Sequence, residues 1–202
     1  MPNKPLFVTG IGTGIGKTIV SAILTEKLKA DYWKPIQAGD LDNSDTLKVE
    51  SLITNTVSKI HPEAYRLTEP YSPHKAADMD GITIDEKNIM LPVTDNQLII
   101  EGAGGLMVPL NNNFLMIDLI QQLNAEVVLV VKHYLGSINH TLLSLAALYS
   151  RDIPVKALIF NGNSDEYSEQ LIVNYFKAGT VISIPVIDIL NKENIARLEI
   201  EL

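Results

Sequence analysis

The stretch Gly10-Ile11-Gly12-Thr13-Gly14-Ile15-Gly16-Lys17-Thr18, "GIGTGIGKT", follows the apolar run Leu6-Phe7-Val8 and opens the helical pattern Lys17–Leu28. Strand, glycine-rich turn, Lys-Thr and helix in this order describe a phosphate-binding loop. Glycines let successive N–H groups turn toward one anion, and the helix N-terminus adds a favourable dipole. In the usual spacing, G-x-x-x-x-G-K-[ST], the position five residues before Gly16 is a glycine. Here that position is Ile11 and the leading glycine is Gly10, so the loop is one residue longer. Lys17 is placed to reach the β- and γ-phosphates of a nucleoside triphosphate, and the Thr18 hydroxyl to bind Mg²⁺.

The rest of the chain repeats the same alternation. Short apolar runs at Leu6–Thr9, Tyr32–Ile36, Leu98–Glu101, Val127–Lys132, Val155–Asn161 and Val181–Ile184 read as buried parallel strands. Helical patterns at Lys17–Leu28, Asp45–Leu52, Leu115–Leu123, Ile138–Tyr149 and Glu166–Phe176 separate them. The expected fold is α/β: a doubly wound, mostly parallel sheet with helices on both faces and an N-terminal phosphate loop. A single domain over residues 1–202 fits the length. Pro62–Pro92 holds four of the ten prolines and reads as surface connections with short helices.

Composition narrows the function. The formal charge of −8 argues against nucleic acid and anionic membrane surfaces as partners, since both need clustered Lys and Arg. An anionic ligand must therefore be held by a few placed cations and backbone amides. The absence of cysteine excludes a disulfide framework and thiolate chemistry. No basic segment leads into an apolar core at the N-terminus, and no apolar run reaches the roughly 18–20 residues of a membrane helix. The expectation is a cytoplasmic enzyme.

Two carboxylates and a second lysine are candidates for the chemistry. Glu101 ends the apolar strand Leu98-Ile99-Ile100 and precedes Gly102-Ala103-Gly104-Gly105, where the backbone can approach a ligand closely. Ligands of open α/β sheets bind beyond the carboxyl ends of the strands, and Mg²⁺ takes one or two carboxylates with phosphates and waters. Asp45, in Asn43-Ser44-Asp45-Thr46, reads locally as a helix-capping residue. Lys34, near the end of its strand-like run, points either outward or into the ligand crevice; near a γ-phosphate it would stabilise charge during phosphoryl transfer.

Seven motifs in order, "GIGTGIGKT", "KPIQAG", "NSDT", "SPHKAA", "EGAGGLMVPL", "LGSINHT" and "IFNGN", resemble the dethiobiotin synthetase family over nearly the whole chain, the lengthened loop included. The resemblance implies ATP- and Mg²⁺-dependent closure of a cyclic urea on 7,8-diaminononanoate with CO₂ (or bicarbonate as its source), in a homodimer whose substrate site lies at the interface. An amine is first carbamated, the carbamate oxygen takes the γ-phosphoryl group, and the second amine displaces phosphate. It also places the family's metal-binding aspartate on Asp45 and its glutamate on Glu101, which with Thr18 complete the metal set. Lys34 matches the lysine near carbamate and γ-phosphate, and Thr13 a loop residue near the substrate amines. Gly12, Gly14, Ile15 and Gly16 fall in the phosphate cradle, Gly102, Ala103 and Gly104 beside it, and Asn161, Ile184, Pro185 and Val186 at the adenine. Gly136, Ser137, Ile138 and Asn139 match the helix start that receives the substrate carboxylate from the partner subunit.

The chain departs from the family pattern at Gly12 and Gly14, where acidic residues are common, and at Ala38, a substrate-side position where serine is common. The tail after Ile184-Pro185 is short. A partition-type ATPase switch shares the fold and is the alternative reading, but its early lysine would stand at Gly12. Amidating ligases of related chemistry need a nucleophilic cysteine. His74 and His140 lack metal-ligand spacing and are expected to make structural hydrogen bonds.

Overall fold

Strands with no polar alternation need cover on both faces, and the central sheet of this protein has it. The computed structural model describes residues 4–202. In chain order the strands are β1 (Leu6–Gly10), β2 (Asp31–Trp33), β3 (Ile36–Ala38), β4 (Ile60–His61), β5 (Tyr65–Leu67), β6 (Leu98–Gly105), β7 (Glu126–Val131), β8 (Val155–Asn161) and β9 (Thr180–Ile184). The α-helices are α1 (Lys17–Leu28), α2 (Asp45–Leu52), α3 (Pro73–Met79), α4 (Met116–Gln122), α5 (Ser137–Ser150), α6 (Glu166–Tyr175) and α7 (Lys192–Arg197). Seven strands form one parallel sheet in the order β4-β2-β6-β1-β7-β8-β9. The doubly wound expectation holds.

Successive strand residues feed two separate cores. Val8, Tyr32, Ile99, Val128 and Val130 pack with Val20, Ile23 and Leu24 of α1 and Val49 of α2. Phe7, Trp33, Ile100, Leu129 and Val131 pack on the other face with Ile117 and Ile120 of α4, Leu145 and Leu148 of α5 and Ile172 of α6. This period-two division fixes which side chains share a face.

Three features differ from the sequence expectation. The run Tyr32–Ile36 is not one strand: β2 stops at Trp33, and β3 leaves to pair with β5 in a separate two-stranded sheet. Pro35 lacks an N–H and cannot continue the ladder; its carbonyl instead accepts from Ala64 and Tyr65. The second difference is β6, which runs on to Gly105, so Glu101 lies within the strand rather than at its end. The pairing with β1 slips between Val8↔Glu101 and Gly10↔Gly105, where the extra residues of β6 bulge beneath the phosphate loop. Third, Pro62–Pro92 contains strand β5 as well as helix α3 and a 3₁₀ turn at Glu86–Asn88. The edge strand β4 and helix α7 carried too few residues to show a period.

Candidate active site

The loop between β1 and α1 meets the ends of β2 and β6 and the start of α2 in a cleft of about 820 Å³. Gly16 occupies the position before α1 with φ 93°, a left-handed conformation that favours glycine. A Cβ there would lie 2.1 Å from Asn161 Nδ2. Asn161 Nδ2 donates to the Ile15 carbonyl at 2.8 Å, so the end of β8 braces the loop from below.

Lys17 is 8% exposed, and its Nζ donates to the Gly12 carbonyl at 3.0 Å. Burial lowers its pKa to about 8, with the Lys34 ammonium adding to the lowering and Glu101 opposing it. The Thr18 hydroxyl donates to Glu101 Oε1 at 2.8 Å. Lys34, 3% exposed, sets Nζ 2.8 Å from Asp45 Oδ2 and 3.4 Å from Glu101 Oε1. Burial alone would lower the Lys34 pKa, but the two carboxylates outweigh it and the net direction is up. Asp45 shows the converse: burial raises it, the Lys34 ammonium outweighs that, and its carboxyl sits below the usual range. Lys17, Lys34 and Lys48 thus bring cations together here in a chain of net charge −8.

The local reading of Asp45 as a cap is corrected by the structure. Ser44 caps α2, its side chain accepting from Leu47 N at 3.3 Å. Asp45 is therefore the first helical residue, and its carboxylate is free to face Lys34. Three residues of this neighbourhood were not among the candidates. Gln37 is buried and accepts from Asp45 N at 3.2 Å, tying β3 to the start of α2. Lys48 Nζ lies 3.8 Å from Asp45 Oδ1. The Tyr32 hydroxyl donates to Glu101 Oε2 at 2.8 Å. A period-two reading from Lys34 would have put Tyr32 on the same face, but the partner strand is unknown from sequence.

The donor set fits a Mg²⁺ ion. Thr18, Asp45 and Glu101 all offer oxygen, the ligand atom of a hard cation. Among the described residues no group of three or more His, Cys, Asp or Glu could hold a metal, so this is not an all-protein cage. A cation held here would share its coordination with ligand phosphates and water.

The chain is 54% identical to the ATP-dependent dethiobiotin synthetase BioD of Christiangramia forsetii over 88% of its own length and 86% of that protein. The chain belongs to the dethiobiotin synthetase family. The Cytophaga hutchinsonii dethiobiotin synthetase is 52% identical, covering 85% of this chain and 84% of that one. The Brucella ovis dethiobiotin synthetase is 43% identical over 96% and 91%. A family model described as an AAA domain matches residues 4–194. Among solved structures, a ParA family ATPase from Chlorobium tepidum superposes with a TM-score of 0.53 over 92% of this chain and 86% of that one. At 12% identity that likeness shows the fold alone.

For this dethiobiotin synthetase family member, the structure brings most of the candidate residues together. Thr13, Gly14, Gly16, Lys17, Thr18, Lys34, Ala38, Asp45, Glu101, Gly102, Ala103 and Gly104 line the cleft. Thr13 also lines an adjoining apolar hollow of about 870 Å³ with Met107, His140 and Leu143; Gly12 lines that hollow and not the cleft. Ile15 is buried beneath the loop. Ile184, Pro185 and Val186 line a separate pocket with Phe160 and Gly162, next to Asn161. Gly136, Ser137 and Ile138 line a third, with His133 and Asp165; neither they nor exposed Asn139 reach the cleft within one chain. His140 makes the expected structural bond, Nδ1 to the Tyr134 hydroxyl at 2.7 Å. His74 does not: its Nδ1 has no partner among the described residues.

The Ser44–Asp45 pair separates capping from ligand binding. Ser44→Ala is expected to cost about 1 kcal/mol of stability. Asp45→Asn should leave the cap intact and destabilise less than Lys34→Met, since the amide oxygen can still accept from Lys34, yet raise the Mg²⁺ needed for half-maximal activity. An unchanged Mg²⁺ titration in Asp45→Asn would remove it from the metal set.

Proposed function

We propose that the chain is an ATP- and Mg²⁺-dependent cyclo-ligase that forms the ureido ring of dethiobiotin from 7,8-diaminononanoate and CO₂, releasing ADP and phosphate. The relatives' name supplies the reaction class, and one observation carries the assignment to this cleft. Lys34, a second buried cation, stands beside Asp45 and Glu101 and lines the same cleft as Lys17. Phosphate binding alone does not require it, whereas transfer of a phosphoryl group to an anionic carbamate brings two negative groups together and does.

In this reading the loop amides of Gly12–Gly16 and the start of α1 cradle the β- and γ-phosphates. Thr18, Asp45 and Glu101 would hold Mg²⁺, which when bound neutralises charge on the phosphate oxygens. Lys17 reaches the transferring phosphoryl group once its tie to the Gly12 carbonyl is exchanged for phosphate. Lys34 neutralises the carbamate oxygen that attacks. A carbamate is a poor acyl donor, and phosphorylation makes its oxygen a leaving group for the second amine. Thr13, which lines both cleft and hollow, orients the amines, and the substrate's apolar chain runs along the hollow past Ala38's side of the cleft. Asn161, Ile184, Pro185 and Val186 receive the adenine. The adenine site, the cytoplasmic location and the single domain over residues 1–202 are parts of this proposal. No helix among the described residues is long and apolar enough to cross a membrane.

The substrate carboxylate must lie several ångströms from the amines, beyond the phosphate loop. The N-terminus of α5, at Gly136 to Asn139, suits a carboxylate but lies outside its own chain's cleft. A two-fold dimer that donates this helix start across the interface satisfies both conditions. Exposed apolar Met107 and Leu143 beside the hollow support a partner there. The test is direct. Incubation with diaminononanoate, bicarbonate, Mg²⁺ and ATP should yield the cyclic urea and ADP; ATP hydrolysis without urea would favour the partition-type switch. Asn139→Ala should raise KM for the diamine more than for ATP, and hybrids of Lys17→Ala chains with Asn139→Ala chains should regain activity. A fully active monomer, or inactive hybrids despite proven exchange, overturns the shared site.

A further inference from the structure

Tyr32 is wholly buried, and nothing in the reaction described above uses it. It lies on β2, paired in register with Ile99 of β6, while Glu101 stands two residues further along the same face of the sheet. Its hydroxyl spans that diagonal and donates to Glu101 Oε2 at 2.8 Å. The other oxygen, Oε1, receives Thr18 and faces Lys34. The two carboxylate oxygens are thus divided: one toward the cleft, one toward the core. Without a donor from within, a carboxylate 1% exposed would carry an unpaired oxygen, and rotation about its last torsion would exchange the two.

We propose that Tyr32 is a positioning residue that holds Glu101 with a single oxygen turned to the cleft and thereby sets its strength as a ligand for the divalent cation. The proposal rests on the reading of Glu101 as a metal ligand. Groups that orient a metal ligand typically contribute 10–100-fold in metal affinity or activity when removed. Lys34 would otherwise compete for the rotated carboxylate, since its Nζ already lies 3.4 Å from Oε1.

The experiment counts bound Mn²⁺ by electron paramagnetic resonance in the presence of a non-hydrolysable ATP analogue, so that it does not depend on turnover. Tyr32→Phe should raise half-saturating Mn²⁺ about 10-fold with KM for the diamine unchanged. In the Glu101→Gln background the same substitution should add less than about threefold, because both changes act through one ligand. An unaltered Mn²⁺ titration in Tyr32→Phe, with Glu101→Gln strongly affected, overturns the role of Tyr32 alone. Should Glu101→Gln also titrate like the wild type, the ligand reading falls with it. If Tyr32→Phe does not fold by circular dichroism, the double variant is compared with Glu101→Gln; a difference above about threefold then overturns the proposal.

Discussion

Replacing Lys17 by alanine is expected to reduce turnover about 10²–10³-fold, the range for loss of one preorganised charge contact at a developing anion. In the free chain Lys17 contributes little to the fold. Its Nζ makes one hydrogen bond, to the Gly12 carbonyl, and burial has already lowered its pKa to about 8. Thermal stability should therefore change little, and the loss should appear in kcat. The lowered pKa gives a second reading. Lys17 must be protonated to meet a phosphate, and that proton is lost as pH rises through about 8. Since kcat/KM reports the free enzyme, kcat/KM for ATP should fall above pH 8, and Lys17→Arg should move that limb upward. Near wild-type turnover in Lys17→Ala would remove it from the transfer step.

Lys34→Met keeps the shape of the side chain and deletes its charge. Turnover per folded molecule should again fall about 10²–10³-fold. Unlike Lys17, this lysine also supports the fold. It is the counter-cation of Asp45 and Glu101, at 2.8 and 3.4 Å. Removing one partner from a buried ion pair costs about 3–5 kcal/mol. For a domain of this size that corresponds to a fall in Tm on the order of 10 °C. Calorimetry and single-turnover assays at low temperature separate the two effects. A variant that is destabilised but turns over within threefold of wild type would make Lys34 a structural cation only.

How much of this was legible beforehand follows from which interactions are local. The phosphate loop was readable because its parts are neighbours in sequence: a strand, glycines, Lys17-Thr18 and a helix each impose their own short pattern. The apolar runs announced a parallel sheet because strands buried on both faces have no polar side to break them. Ordered motifs along the whole chain named the family. Boundaries set by pairing were less readable. Pro35 ends β2, but only the ladder with β5 shows where β3 goes. The extension of β6 to Gly105 depends on the slipped register with β1.

The roles within the site divide in the same way. Asp45 looked like a cap because it stands at a helix start; the fold gave that task to Ser44 and turned Asp45 toward Lys34. Tyr32 read as a strand residue and Gln37 as its flank; Tyr32 became a donor to the Glu101 carboxylate and Gln37 an acceptor from the Asp45 backbone N–H, through contacts 69 and 8 residues apart in sequence. The sequence by itself determined the loop, the layer architecture and the chemical inventory, because these rest on short-range backbone preference and hydrophobic periodicity. Tertiary structure decided which face of β6 meets which face of β2, and hence that Glu101 presents one oxygen to Thr18 and the other to Tyr32, because strand register is fixed by packing across the sheet and not by any neighbour along the chain.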